Sequence, residues 1–305
     1  MKALVFFMAI MLPGIVFSQQ VPDLTYKPHI SNPAYAPGKG PVVFIDEGHF
    51  DLNTKNGRYQ PFADLLERDG YVVLGYKGKF TEEGLNKGKI LVISNALNKI
   101  NASPGHWYLP TPSAFTNEEI EAVKKWVSNG GSLFLIADHM PMPGAAKELA
   151  AAFGFEMTNG FAMAPRRPGP AVFSLRDGTL TESVLTSGRN RKESVKRIAT
   201  FTGQAFRIPK EATPILTFNK HYLDFLPDTA WKFNSKTKRY SAQGMSQGAF
   251  RKFGKGKVVV FGEAAMFNAQ LVGPRKIEVG MNSLIVNQNY KLLLNVIHWL
   301  DGKLE

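Results

Sequence analysis

Short, uninterrupted apolar runs alternate with amphipathic stretches along most of the chain. Continuous apolar runs of this length are typical of strands covered on both faces, and apolar stripes with a period of 3.6 residues are typical of helices. The alternation predicts a doubly wound α/β fold with a mainly parallel sheet and right-handed crossovers. The predicted strands are 41–46, 71–74, 90–95, 132–137 and 257–262, and the predicted helices are 59–68, 118–128, 145–153 and 289–300. Thr116 and Glu119 form a capping-box pair at the start of the second helix.

Residues 160–250 break this alternation. Proline and glycine are frequent there, and short apolar segments at 198–201 and 215–218 follow one another without an intervening helix. Antiparallel strands need no crossover helix, so the pattern predicts an antiparallel β-rich extension. No linker composition separates it from its surroundings. We therefore expect a single α/β domain over 41–302 that contains this insertion and follows an extended lead-in at 19–40.

The N-terminus has the order of a secretory signal peptide. Lys2 precedes an apolar run at 3–12, a Pro13-Gly14 break and a small-residue ending at Ser18. A transmembrane anchor is the alternative, but about 15 interrupted apolar residues fall short of the roughly 20 that span a bilayer. We predict that residues 1–18 are removed, that the protein is exported to the periplasm or the extracellular space, and that the mature chain has no membrane span.

The amino-acid composition excludes some kinds of functional site and indicates a basic surface. The chain has no cysteine, which excludes disulfides, thiolate metal sites and cysteine nucleophiles. The formal net charge is +12, with basic residues concentrated at 189–192 and 232–239. Either a nucleic-acid or anionic-glycan surface or a solvated basic face would explain this charge. Without a nucleic-acid motif we expect no nucleic-acid partner, while attraction to acidic polymers of the cell envelope stays open.

Polar side chains follow the predicted parallel strands at their carboxyl ends. Ligands of open parallel sheets bind outside this edge, so these residues are the first candidates for a functional site. The loop that follows the third strand adds an aromatic residue. The candidate catalytic residues are His49, Asp138, His139 and Glu263, and the candidate ligand-binding residues are Asp46, Glu47, Asn95 and Trp107.

Two kinds of chemistry suit this set. His49 and His139, with carboxylates nearby, would hold a divalent metal ion as cofactor. Without a metal, a histidine oriented by a carboxylate would serve in acid–base catalysis. The structural alternative is that strand-end polar residues cap loops and helix starts.

Three segments resemble a known family. Residues 44–49 (FIDEGH), 131–139 (GSLFLIADH) and 256–267 (GKVVVFGEAAMF) are similar to those of an uncharacterised family of exported proteins with a class I glutamine amidotransferase-like, flavodoxin-like domain. The resemblance covers most of 41–300 and implies that fold. True amidotransferases carry a cysteine nucleophile at a place similar to residues 137–140. Because the chain lacks cysteine, the resemblance implies the fold without glutamine amidotransfer and leaves hydrolysis as the enzymatic possibility.

Two classes of function therefore stay open. One is a hydrolase-like or metal-assisted site that acts on a small polar or carbohydrate-related ligand at the strand ends. The other is a non-catalytic module that binds a ligand or partner through the basic residues of 160–250 or through the loop 106–108, whose rings would stack on a sugar or cover the sheet edge.

Overall fold

The computed structural model describes residues 20–167 and 169–305, and the predicted signal peptide at 1–18 lies outside them. The helices are α1 Gln60–Arg68, α2 Glu82–Leu85, α3 Asn117–Ser128, α4 Met142–Ala151, α5 Val184–Ser187 and α6 Asn289–Asp301. Within the described part of the chain, no helix combines the length and the hydropathy that crossing a bilayer requires. The strands are β1 Gln20–Pro22, β2 Val42–Asp46, β3 Val72–Tyr76, β4 Ile90–Ser94, β5 Ser132–Ile136, β6 Glu156–Met157, β7 Phe161–Met163, β8 Ala171–Ser174, β9 Arg197–Thr200, β10 Phe206–Arg207, β11 Thr213–Thr217, β12 Leu223–Leu226, β13 Lys238–Ser241, β14 Ser246–Phe253, β15 Gly256–Phe261, β16 Ala269–Val272 and β17 Ile277–Gly280.

A nine-stranded mixed sheet forms the centre of the molecule, in the order β3-β2-β4-β5-β15-β14-β10-β6 with β11 beside β14. The first five strands pair in parallel. Beyond β15 the pairing is antiparallel, because β15 and β14 form a hairpin. Gly254 has φ +57° in its turn, and a Cβ there would lie 2.6 Å from the Ser128 carbonyl oxygen. The α/β class is therefore confirmed and the central sheet is mixed, whereas the finer prediction of a doubly wound, mainly parallel sheet is not confirmed.

The two faces of the parallel strands bury separate apolar clusters. Successive side chains of a strand point to opposite faces. In β5, Phe134 and Ile136 pack with α1 and α6, whereas Leu133 and Leu135 pack with α3 and α4. Burial on both faces explains why these strands stand in the sequence as uninterrupted apolar runs. It also holds the carboxyl ends of β2, β4, β5 and β15 side by side at one edge of the sheet.

The region 160–250 contains further antiparallel strands, as its sequence predicts. β7, β12 and β13 form a three-stranded antiparallel sheet, and β8 pairs with β9. Ahead of the first parallel strand, β1 pairs with β16, which in turn pairs with β17. Strands β12 and β13 of this small sheet contribute residues to the lining of a surface cleft.

Candidate functional site

His49 is held between two carboxylates. Its Nδ1 lies 2.8 Å from Asp46 Oδ2, and its Nε2 lies 2.9 Å from Glu119 Oε1. The rings of Phe80 and Phe115 pack against the imidazole, with centroid distances of 4.6 and 4.8 Å. Both ring nitrogens are thus occupied, and the side chain is buried. Through these two hydrogen bonds, His49 links the end of β2 to the start of α3.

The charge state of the Asp46–His49–Glu119 triad follows from its burial and its contacts. Burial lowers the pKa of His49, but the hydrogen bonds and charges of Asp46 and Glu119 outweigh it, so this pKa is raised. Burial also opposes the ionisation of Glu119, yet contacts with Thr116 and His49 hold the pKa of this carboxyl below its usual range. An imidazolium between two acceptors is a structural ion pair, in which the ring has no free nitrogen to serve as a base.

Sequence reasoning missed Glu119 as a partner of His49. The predicted capping box forms: Glu119 N donates to Thr116 Oγ1 at 3.3 Å, and Thr116 N donates to Glu119 Oε2 at 3.0 Å. The other carboxylate oxygen accepts from His49 and from the Phe80 N–H. The capping box was the sequence signal that could have found this residue, because it fixes where the carboxylate must lie.

Asn95, Asp138 and His139 form a second group at the ends of β4 and β5. Asn95 lies in the left-handed region with φ +58°, and its Oδ1 accepts from Asp138 N at 2.9 Å. Asp138 Oδ1 accepts from His139 N at 2.8 Å. His139 Nδ1 donates to the Met140 carbonyl oxygen at 2.8 Å. These bonds satisfy the backbone of the loop after β5, which is the capping role given above as the structural alternative.

Glu263 is completely buried just past the end of β15. Its two oxygens accept from the N–H groups of Ala265 and Met266 at 2.9 and 2.8 Å. Burial, and then the negative charge of Asp138, raise the pKa of Glu263 well above its ordinary value. Asp138 and Glu263 are therefore close enough to interact electrostatically, and the structure brings these two predicted residues together.

Glu47 belongs to neither group. Its Oε1 accepts from Lys55 N at 3.0 Å. Its carboxyl group lies over Gly75, where a Cβ would come within 2.6 Å of it. The residue therefore stabilises the loop after β2 and stands apart from the strand-end carboxylates.

Potential metal ligands gather at one place among the described residues. Asp46, His49 and Asp51 each offer a ligand atom, and these atoms lie within 4.8 Å of one another. His139 is not in this group. A metal ion shared by His49 and His139 thus stays a prediction.

An aromatic cluster surrounds His139. Its ring stacks on Phe161 at a centroid distance of 4.6 Å, meets Trp231 edge-on at 4.6 Å and lies 5.9 Å from the ring of Trp107. Trp231 is 52% exposed. Sequence reasoning selected Trp107 but missed Trp231, whose one signal is its place beside the basic stretch 232–239.

A basic cleft adjoins this cluster. Leu109 N donates to the Asp228 carbonyl oxygen at 2.9 Å, and Ala230 N donates to that of Trp107 at 2.8 Å, which joins the loops 106–109 and 228–231. The cleft has a volume of about 680 Å³. A separate cavity of about 350 Å³ lies against α6 and is lined by none of the strand-end residues. The cleft is lined by Leu109, Thr158, Asn159, Leu226, Pro227, Asp228, Thr229, Lys232, Asn234, Lys236, Thr237, Lys238 and Tyr240.

Fold and site together define a mixed α/β domain with hydrogen-bonded strand ends and an open basic cleft. No protein-family model and no curated protein matches the chain. The solved mmIFT52 N-terminal domain is similar over 85% of this chain and 97% of its own, with a TM-score of 0.58 and 15% identity. A ThuA-like protein from Bacteroides uniformis is similar over 87% of this chain and 93% of its own, with a TM-score of 0.46 and 14% identity. A cytoplasmic protein from Salmonella typhimurium is similar over 85% of this chain and 98% of its own, with a TM-score of 0.48 and 13% identity. The first similarity shows a shared fold and no more.

These comparisons overturn the resemblance to a glutamine amidotransferase-like family. The similar fold with a TM-score above 0.5 is the mmIFT52 N-terminal domain, which is not a glutamine amidotransferase. The resemblance was wrong because its segments are mostly buried strands, and apolar strands of this kind occur in many α/β folds.

Proposed function

We propose that the protein is a non-catalytic module that binds an acidic carbohydrate polymer outside the cytoplasm. The binding site is the cleft between the loop 106–109 and the sheet of β7, β12 and β13. The observation that carries this proposal is the combination, in one open cleft of about 680 Å³, of three lysines with an exposed aromatic side chain.

Charge favours an acidic ligand. Lys232, Lys236 and Lys238 line the cleft, and Asp228 is the one acidic residue of its lining. None of these lysines forms an ion pair with another described residue. Their ammonium groups are therefore available to carboxylate or sulfate groups of a polymer, which they attract as point charges.

Exposed aromatic rings favour a carbohydrate. Tyr240 in the cleft is 59% exposed, and Trp231 at the adjoining aromatic cluster is 52% exposed. Large rings on a surface mark contact sites, and the apolar face of a sugar ring suits them. The neighbouring loop adds Trp107, whose indole N–H is buried and has no hydrogen-bond partner among the described residues.

The strand ends also favour a binding site in the cleft, because their side chains have few free polar groups. His49 and Glu263 spend both of their side-chain polar atoms on hydrogen bonds within the chain. A catalytic group must reach the substrate with a free donor or acceptor. The cleft offers such groups, and these strand-end side chains do not.

Calorimetric titration with polygalacturonate tests the proposal, with neutral dextran and duplex DNA as competing ligands. We expect polygalacturonate to bind, and replacement of Lys232, Lys236 and Lys238 together by glutamine to weaken binding by about tenfold or more. The control replaces three exposed lysines outside the cleft, Lys77, Lys192 and Lys276, and removes the same charge. Equal losses in both variants, no binding by the natural chain, or preference for DNA or dextran would each overturn the proposal.

Export is the second part of the proposal and rests on the signal-like segment 1–18. The test is N-terminal sequencing of the protein from cell fractions. We expect a mature chain that begins near Gln19 in the periplasmic or secreted fraction. An intact Met1 in the cytoplasmic fraction would contradict export and would leave the binding experiment unaffected.

A further inference from the structure

We propose that Asp46, His49 and Asp51 form a binding site for one divalent transition-metal ion of the Zn²⁺ or Mn²⁺ type, with Glu119 as the residue that orients His49. This site is separate from the cleft and does not depend on the function proposed for it. Asp51 lies five residues past the end of β2, so a search confined to residues directly after the strands does not reach it.

The spacing of the three side chains suits a single ion. One atom from each lies within 4.8 Å of the other two. Ligand atoms bound to one ion at about 2.0–2.2 Å stand roughly 3 to 4.4 Å apart, so the group closes around an ion with little contraction. Two carboxylates and one imidazole are a ligand set that suits Zn²⁺ and Mn²⁺, whereas Ca²⁺ prefers oxygen ligands alone.

Glu119 gives His49 the orientation of a metal ligand. Histidines that bind a metal usually donate their other N–H to a carboxylate, which fixes the tautomer and the ring plane. Here Nε2 lies 2.9 Å from Glu119 Oε1, while Nδ1 faces the Asp46 carboxylate at 2.8 Å. Metal binding would replace the Nδ1 proton, which leaves to solvent, and would keep the Nε2–H bond to Glu119.

An unpartnered oxygen supplies independent support. Asp51 Oδ2 accepts from His49 N at 3.0 Å, but Asp51 Oδ1 is buried, accepts no hydrogen bond from the described residues and has the Asp46 carboxyl group as its neighbour. A buried carboxylate oxygen without a partner is costly. A cation bound beside Asp46 would satisfy this oxygen and would also offset the repulsion between the two neighbouring carboxylates.

The test titrates the full chain, freed of metal by chelation, with ZnCl₂ and MnCl₂ in a calorimeter, with CaCl₂ as the comparison salt. We expect one Zn²⁺ or Mn²⁺ per chain and weaker binding of Ca²⁺. Asp51→Asn keeps the side-chain shape and should lower the affinity about tenfold to hundredfold, and Glu119→Gln should lower it by a similar factor. The matched control is Asp64→Asn on α1, which removes one carboxylate elsewhere and should bind as the natural chain does.

Circular dichroism of each variant shows whether it is folded. If a variant fails to fold, imidazole ¹⁵N spectra of the natural chain decide the question. We expect Zn²⁺ to move one Nδ1 signal among the chain's six histidines, that of His49, to the metal-bound range. No stoichiometric binding, equal binding by Asp51→Asn, or an unmoved His49 signal would each overturn the proposal.

Discussion

The strand ends and the cleft use their polar residues in opposite ways. At the strand ends, His49, Asp138 and Glu263 lie in or near the buried core, and each is held by hydrogen bonds within the chain. In and beside the cleft, lysines carry no ion pair, Trp231 and Tyr240 are exposed, and the indole N–H of Trp107 has no partner among the described residues. The contrast teaches that a polar residue signals binding when its hydrogen-bonding groups are left free, and signals stability when they are already used.

Removing His49 should have the largest effect on stability. His49→Ala leaves the buried carboxylates of Asp46 and Glu119 without their common partner, and breaking a buried ion pair in this way costs about 3–5 kcal/mol of unfolding free energy. Urea denaturation in the presence of a chelator measures it. The control, His221→Ala, removes an exposed histidine and should change stability by less than about 0.5 kcal/mol. A loss below about 1 kcal/mol for His49→Ala would show that the triad is not structural.

Asp224 in β12 should make the extension sensitive to pH. Burial raises its pKa from 3.8 to about 6. The folded state therefore holds the proton more tightly than the unfolded chain. The residue costs little below pH 4, becomes progressively more destabilising between about pH 4 and pH 6, and has its full cost above pH 6. Asp224→Asn should stabilise the protein at pH 7.5 by up to about 3 kcal/mol, and the gain should vanish at pH 4. The exposed Asp228→Asn should show no such gain, and a gain in Asp224→Asn that did not depend on pH would contradict the explanation.

The capping box of α3 should contribute less to the unfolding free energy than His49 or Asp224. Thr116→Ala removes the hydroxyl that accepts from Glu119 N, and a lost N-cap of this kind costs about 1 kcal/mol. Thr116→Ser keeps the hydroxyl and should retain most of the stability. Thermal unfolding of both variants measures the difference, and equal melting temperatures would show that the cap is dispensable.

Substitutions in the cleft should have the smallest effect on stability. The triple glutamine variant of Lys232, Lys236 and Lys238 removes side chains that pair with no described acidic residue, so its unfolding free energy should change by less than about 0.5 kcal/mol. A clear loss of stability would mean that these lysines are structural and would remove the contrast between the cleft and the strand ends.

Much of the parallel half of the sheet could be predicted from the sequence. β2, β4, β5 and β15 are buried on both faces, so each stands as an uninterrupted apolar run whose carboxyl end identifies the polar residues at the sheet edge. The sequence could not show that these side chains bond to one another and to loop backbone, because those partners are set by three-dimensional packing. Glu119 joins His49 across 70 positions of the chain.

The antiparallel half was predictable only in outline. The spacing of short apolar segments in 160–250 predicts antiparallel strands, and such strands are present. The cleft, however, depends on backbone bonds between the loops 106–109 and 228–231, about 120 positions apart, which leave no periodic signal in the sequence. The sequence therefore gives no sign that Trp231 lies against His139 near the end of β5.

The central claim is that the acidic carbohydrate binds at the cleft and its aromatic cluster, away from the packed strand ends. The four indole N–H signals of the chain in an ¹⁵N–¹H spectrum test it most directly, during titration with an oligogalacturonate. Trp107 and Trp231 lie beside the cleft, whereas Trp126 and Trp299 are buried on the two faces of the sheet. We predict that the ligand shifts the signals of Trp231 and Trp107 and leaves those of Trp126 and Trp299 in place. Unmoved signals for Trp231 and Trp107 at saturating ligand would contradict the account.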